Sequence, residues 1–187
     1  ANGPTDRGFD YFYGLTSPSG PPHLYMVNDM AEKQPNTRFE ESGGGLYKIK
    51  GGIGHSDWSA DGMQPHLADK MLEYLDENKD SDKPFFLYMA LTAPHIPLFP
   101  SKEFKGKSKI GDYGDLVMMI DDIVGRVNRK LKEIGKYDNT IVMFAADNGC
   151  AGYINMDRIN RKGHYPSYIY RGYKSHGWEG GHRIPFI

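Results

Sequence analysis

The apolar positions of this chain form two helical patterns and two almost unbroken apolar runs. The first helical pattern extends from Gln64 to about Asn78, with apolar residues at i, i+4, i+7 and i+8. Its members are Leu67, Met71, Tyr74 and Leu75. The second pattern runs from Tyr113 to Ile134 for about six turns, and Gly135 follows at a position that suits a helix C-terminus. The sequence therefore predicts one medium and one long amphipathic helix.

Each predicted helix is followed by an apolar run of seven or eight residues. The run "PFFLYMAL" occupies 84–91, and the run "TIVMFAA" occupies 140–146. Because neither run alternates apolar with polar residues, both faces are expected to be buried, as in the strands of a parallel sheet. Helix and strand in alternation predict an α/β fold with a mostly parallel sheet flanked by helices. A further strand is expected to begin within "RIPFI" at 183–187.

The loops that leave the two apolar runs carry the polar residues of interest. "TAPHIP" (92–97) follows the first run and "DNGCAG" (147–152) follows the second. Ligands of open α/β sheets bind beyond the carboxyl ends of the strands. We therefore expect His95 and Asp147 to lie on the same rim of the molecule.

The remaining segments lack clear periodicity. Residues 1–62 contain turn-forming stretches such as "SPSGPP" and "SADG", and their packing partners are expected to lie partly elsewhere. About 34 residues after Gly149 form a connection of the length that is usual for a functional loop or lid.

Composition excludes several classes of protein. The chain has 187 residues, with 23 Lys and Arg against 24 Asp and Glu, so its net charge of −1 gives no general attraction to nucleic acid. No run of 18 apolar residues predicts a membrane span. Cys150 is the single cysteine, which excludes an internal disulfide and a multi-thiolate zinc site.

Asp147 and Asn148 supply a carboxylate and an amide oxygen, which are hard ligands suited to Ca²⁺ or Mg²⁺. The alternative is an ordinary Asn-Gly turn that needs no metal. His95 stands between two prolines, so its backbone is stiff enough to position a proton donor, although a surface histidine would fit equally. Lys174 lies in a glycine-rich stretch where its charge can approach an anion, or where it is merely solvated.

Several segments together resemble the type I sulfatase family, the formylglycine-dependent branch of the alkaline-phosphatase-like superfamily. They are "GFDYFYG", "FFLYMALTAPHIPL", "YGDLVMMIDDIVGRVNRKLKEIG", "YDNTIVMFAADNG" and "RGYKSHGWEGGHRIPF", in that order. The resemblance covers nearly the whole chain. It implies an alkaline-phosphatase-like α/β fold and hydrolysis of sulfate esters, and "KGHYPSYIYRGYK" resembles bacterial members, many of which act on sulfated carbohydrates.

The resemblance also implies roles for four residues. Asp147 and Asn148 match the later pair of calcium ligands. His95 matches the histidine that contacts sulfate and protonates the leaving alcohol, and Lys174 matches the lysine that binds sulfate oxygens. Cys150 matches no nucleophile, and an incidental thiol is the better interpretation.

One departure from the family pattern is large. No Cys-x-Pro-x-Arg or Ser-x-Pro-x-Arg stretch, from which the formylglycine nucleophile would arise, occurs in the sequence, and the early aspartate pair of the calcium site is also missing. We therefore expect residues 1–187 to be the central part of a single sulfatase catalytic domain, truncated at both ends. Such a fragment is expected to be inactive alone and to bind calcium weakly.

Two rival functions remain open at this stage. One is a phosphatase or phosphodiesterase of the same superfamily, and the other is a non-catalytic paralogue that binds sulfated glycans. Residues in loops that could contact a substrate are His23, Asn28, His164, Arg171 and Trp178, although each has a structural alternative. A periplasmic or secreted location is implied by the resemblance.

Overall fold

The structure is a computed structural model that describes residues 3–17 and 20–187. Its strands are β1 (Tyr13–Gly14), β2 (Met26–Val27), β3 (Met30–Ala31), β4 (Thr37–Phe39) and β5 (Gly52–Gly54). Its α-helices are α1 (Met63–Glu77), α2 (Asp112–Glu133), α3 (Met156–Asn160) and α4 (Glu179–His182). Short 3₁₀ turns lie at Pro4–Arg7, Gly45–Tyr47, Tyr137–Asn139 and Gly152–Ile154. The predicted turn in "SPSGPP" includes Pro18 and Ser19, which lie outside the described residues.

Helices α1 and α2 confirm the two helical patterns of the sequence within one or two residues at each end. Their apolar faces meet in a core cluster of Ala68, Leu98, Phe104, Leu116, Met119 and Ile123. Arg126 of α2 forms an ion pair with Asp69 of α1, and Lys130 approaches Asp76 at 3.6 Å. Because these pairs are partly exposed, the buried side chains contribute most of the packing energy.

The segment before α1 forms two small antiparallel sheets rather than irregular structure alone. Strands β1, β2 and β3 pair in that order, and β4 pairs with β5. Tyr25 and Trp58 pack with Met63 of α1 in a second core cluster. Part of the packing of this segment is therefore supplied by α1, and the expectation that further partners lie elsewhere stays a prediction.

The predicted mostly parallel sheet is not found among residues 3–17 and 20–187, although the α/β class holds. Within the described part of the chain, the runs at 84–91 and 140–146 are not helical and pair with no neighbouring strand, apart from an antiparallel bridge between Ala145 and Phe186. A strand exists only through hydrogen bonds to a neighbour. The local sequence can indicate a segment that is suited to a strand, but it does not show whether a second strand is present to pair with it.

Side chains of the first run alternate between covered and open positions. Met89 and Leu91 pack against the α1–α2 core, whereas Phe86 and Tyr88 are 74% and 72% exposed. The sequence predicts burial on both faces. Within the described part of the chain one face packs on the core, whereas the other stays largely exposed, with Phe86 contacting Phe9 at 6.0 Å between ring centres.

A third cluster anchors the long connection that follows the second run. Ile154, Met156 and Ile159 pack against Ile110, Tyr113, Cys150 and Tyr173. Since Tyr113 also contacts the first core cluster, this connection is fixed to the start of α2.

No helix among the described residues is long and apolar enough to cross a membrane.

Asp115 holds the loop before α2 in place from inside the protein. Its side chain is 0% exposed, and its carboxylate accepts hydrogen bonds from Gly106 N (2.7 Å) and Ser108 N (2.6 Å). The first turn of a helix also favours a negative charge. Two charge-assisted bonds inside the protein make this carboxylate a strong local constraint.

Replacement of Asp115 by asparagine is expected to lower the free energy of unfolding by about 2–4 kcal/mol, because an amide N–H group would face a backbone donor. Chemical denaturation of the full-length protein measures this. The matched control is Asp121→Asn, an exposed position on the same helix, which should change stability by less than about 0.5 kcal/mol. Equal effects of the two substitutions would contradict the buried clamp.

Candidate active site

His95 lies in the loop that follows the first extended run. Its backbone N–H donates to Thr92 O at 3.1 Å, and its Nδ1 lies 2.7 Å from Ile96 O. A carbonyl oxygen can only accept, so Nδ1 carries a proton and Nε2 is left available. The side chain is exposed, and its ring meets the edge of Tyr153 with 6.1 Å between ring centres.

Asp147 and Asn148 stand at the end of the second extended run. Asp147 is exposed and Asn148 is half-buried. Neither side chain has a hydrogen bond or ion pair with any residue in the described part of the chain. Their oxygens are therefore free to bind a cation, but the described residues include no group of three or more His, Cys, Asp or Glu side chains that could hold one.

The loop after Asn148 touches the glycine-rich segment through backbone atoms. Gly149 N donates to Gly181 O at 3.0 Å, and Lys174 N donates to Cys150 O at 2.9 Å. A Cβ atom on Gly149 would lie 2.0 Å from Gly180 O, closer than any side chain tolerates. Absence of side chains at this contact is what allows the two loops to join.

Lys174 is thereby joined through its backbone to the loop that begins with the Asp-Asn pair. Its own side chain is half-buried and has no ionic or hydrogen-bonding partner within residues 3–17 and 20–187. A lysine held by its backbone with a free ammonium group suits an anion that binds from outside.

Two tyrosines connect this arrangement to His95 and to α2. The pKa of Tyr153 is raised, mainly by burial. A hydrogen bond from the Ile96 backbone opposes this increase, and the nearby Cys150 and Asp147 groups add to it. Tyr113 Oη lies 3.4 Å from Cys150 Sγ, and burial raises the pKa of both groups. Cys150 is thus a partly buried thiol whose pKa is raised by burial, which fits the incidental thiol expected from the sequence.

The structure therefore gathers the four predicted residues into one region, without direct contact between their side chains. Lys174 N bonds Cys150 O, and the His95 ring contacts Tyr153, which follows Cys150 by three residues in the same loop. Their roles stay predictions.

The five further candidates divide into two groups. His23 is 1% exposed, bonds Lys50 O at 2.7 Å and packs against Trp58, so it is a core residue. Asn28 has φ of 55° and accepts a hydrogen bond from Phe12 N, so it forms the β2–β3 turn. The others, His164, Arg171 and Trp178, are exposed, and the Arg171 guanidinium stacks 3.9 Å above the Trp178 ring.

Sequence reasoning missed Tyr113 and Tyr153, which link the loops, because tyrosines are common in this chain and carry no motif. It also missed Gln64, a buried amide that contacts the His95 loop.

Comparison with known proteins identifies the family to which the sequence is similar. The sequence profile of the Sulfatase family matches residues 1–187. An N-acetylgalactosamine-6-O-sulfatase of Bacteroides thetaiotaomicron is 35% identical over 133 residues, covering 70% of this chain and 26% of that protein. An arylsulfatase of Hemicentrotus pulcherrimus is 37% identical over 126 residues, covering 67% of this chain and 21% of its own length.

Two solved structures are also similar to this chain. A Bacteroides thetaiotaomicron protein described in work on the metabolism of multiple glycosaminoglycans is similar with a TM-score of 0.82 and 27% identity, over 100% of this chain and 46% of its own. The PsFucS1 sulfatase of a Pseudoalteromonas species is similar with a TM-score of 0.57 and 33% identity, over 68% and 24% of the two chains. This chain thus spans about a quarter of the length of the two curated relatives (26% and 21%).

The close contact between Gly149 and Gly180 leads to a testable prediction. In Gly149→Ala the added methyl group must push Gly180 O away, so we expect a loss of about 1–3 kcal/mol in the free energy of unfolding. Amide exchange at Lys174 N should become at least about tenfold faster, because its bond to Cys150 O opens. Hydrogen exchange of the full-length protein, resolved by NMR, measures this.

Gly177→Ala is the matched control, since a Cβ atom there meets nothing within 4 Å. It should leave Lys174 exchange unchanged. Normal exchange in Gly149→Ala would show that the two loops do not depend on this contact.

Proposed function

Because this chain belongs to the sulfatase family, we propose that the protein containing it hydrolyses sulfate esters and that its substrates are sulfated carbohydrates. The substrate class is supported by the names of similar proteins, which include several N-acetylgalactosamine-6-sulfatases.

One observation carries the proposal for the site, namely the hydrogen bond from Lys174 N to Cys150 O. This bond supports the proposal because it joins the backbone of Lys174 to the loop that begins with Asp147 and Asn148. A cation-binding pair next to a lysine is an arrangement that can hold an anionic ester from two sides.

His95 is proposed to donate a proton to the leaving oxygen. Cleavage of a sulfate ester builds negative charge on the bridging oxygen, and a proton donor neutralises it. The bond from Nδ1 to Ile96 O orients the ring so that Nε2 can carry this proton toward the substrate. Lys174 is proposed to bind the non-bridging sulfate oxygens, whose charge it offsets.

Calcium is the cation we propose for Asp147 and Asn148, since their oxygens are hard donors that have no hydrogen-bond partner among residues 3–17 and 20–187. A bound Ca²⁺ would hold sulfate oxygens and stabilise the charge that develops on them. Two ligands are too few for calcium, which takes about six to eight, so further oxygens are required from the rest of the protein.

The nucleophile is proposed to lie outside residues 1–187, because the sequence contains neither Cys-x-Pro-x-Arg nor Ser-x-Pro-x-Arg. Formylglycine is the proposed nucleophile of the complete protein. On this account the 187-residue chain alone is inactive, and the complete protein acts in the periplasm or outside the cell.

Removal of the Lys174 ammonium group is expected to lower kcat/KM for a sulfated sugar by about 10²–10³, because an anionic transition state loses its cation. The measurement is sulfate release by the full-length protein with Lys174→Ala. Lys102→Ala, an exposed lysine outside the site, is the control and should retain full activity.

Two results would redirect the proposal. Faster hydrolysis of the matching phosphate ester would favour the phosphatase alternative. Binding of the sulfated sugar without any sulfate release would favour a glycan-binding protein.

Calcium binding is expected to stabilise the full-length protein, and Asp147→Ala is expected to weaken it. At calcium concentrations about 100 times the dissociation constant, the wild type should gain about 2.7 kcal/mol, and the variant clearly less. Thermal unfolding with and without calcium measures this independently of activity. Asp138→Ala removes an exposed carboxylate elsewhere and should keep the full calcium effect. A full effect in both variants would exclude Asp147 as a ligand.

A further inference from the structure

Gln64 is a buried polar side chain with no place in the mechanism described so far. It is the second residue of α1 and is only 2% exposed. A buried amide without partners would be costly, so its contacts reveal what it does.

The Gln64 amide is bonded to the start of the His95 loop. Its Oε1 faces the loop, because the opposite orientation would point its N–H groups at other donors. In this orientation Oε1 accepts hydrogen bonds from Thr92 N at 3.3 Å and Ala93 N at 3.2 Å, and also from the Thr92 hydroxyl. One side-chain oxygen thus accepts hydrogen bonds from three donors on two consecutive residues of the loop.

The same loop is fixed at a second point beyond His95. Leu98 N donates to Leu46 O at 2.8 Å, and Leu98 lies in the α1–α2 core. Between the two anchors, His95 N donates to Thr92 O. The peptide group between Thr92 and Ala93 therefore makes both contacts. Its N–H group donates to Gln64 Oε1, and its carbonyl oxygen accepts from His95 N.

We propose that Gln64 is a positioning residue that fixes His95 in the orientation required for proton donation. This rests on the proposed function, in which His95 protonates the leaving oxygen. Small displacements of a proton donor are costly to catalysis, since transfer needs hydrogen-bond distance to the leaving atom. Gln64 acts through the backbone of the loop and does not touch the substrate.

The test is steady-state kinetics of Gln64→Met in the full-length protein with two substrates. When its S–O bond breaks, a sugar sulfate expels a basic alkoxide that needs a proton. 4-Nitrophenyl sulfate instead expels a stable phenolate that needs it little. We expect kcat for the sugar sulfate to fall about tenfold or more, with KM within about twofold and kcat for the aryl sulfate within about threefold.

Three further variants separate positioning from general damage. Gln64→Glu keeps an acceptor oxygen at the same reach and should restore most of the sugar-sulfate rate. Gln34→Met, the same change at an exposed glutamine, should alter nothing. In a His95→Ala background, Gln64→Met should cause no further loss of kcat, because its effect passes through His95.

Equal losses on the two substrates, or a further loss in the His95→Ala background, would overturn the proposal. If the wild type hydrolyses neither ester, the proposed function fails separately. The positioning is then tested by amide exchange at His95, which should be about tenfold faster in Gln64→Met. Unchanged exchange at His95 would overturn the positioning of His95 by Gln64.

Discussion

Contact between two backbones at Gly149 and Gly180 is the constraint on which the candidate site depends. A Cβ atom on Gly149 would clash with Gly180 O, and a Cβ atom on Gly180 would clash with Gly172 O. The close approach lets Gly149 bond Gly181 and lets Cys150 bond Lys174. Glycines here exchange local conformational stability for a contact that no other residue permits. Without it, Lys174 would have no fixed position relative to Asp147 and Asn148.

Around this contact, two small core clusters support the loops of the site. The α1–α2 cluster carries the His95 loop through Ala93, Ile96 and Leu98. The cluster at Ile154 and Ile159 holds the long connection against Tyr113. Polar anchors complete the arrangement, with Asp115 fixing the approach to α2 and Gln64 fixing the stem of the His95 loop. The site is thus assembled on loops, and rigid elements hold each loop at its ends.

Sequence alone predicted the two long helices, because their signal is local and repeats every turn. It could not predict whether the two apolar runs pair, since pairing depends on a neighbour that can lie far away in the chain. Tyr88 and Ile141 illustrate this, being apolar residues that are exposed where the sequence predicts burial. Asp147, Asn148, His95 and Lys174 were reached mainly by resemblance to a family. Gln64 and Tyr153 were not reached at all, because a single amide or phenol has no motif.

An experimental structure of the full-length protein with a bound sulfated sugar tests the central claim most directly. The account predicts that one sulfate group lies within about 3.5 Å of both His95 Nε2 and Lys174 Nζ, with the Asp147 carboxylate facing a bound cation on the other side. A sulfate group bound elsewhere, with the His95 and Lys174 side chains pointing away from each other, would contradict the account.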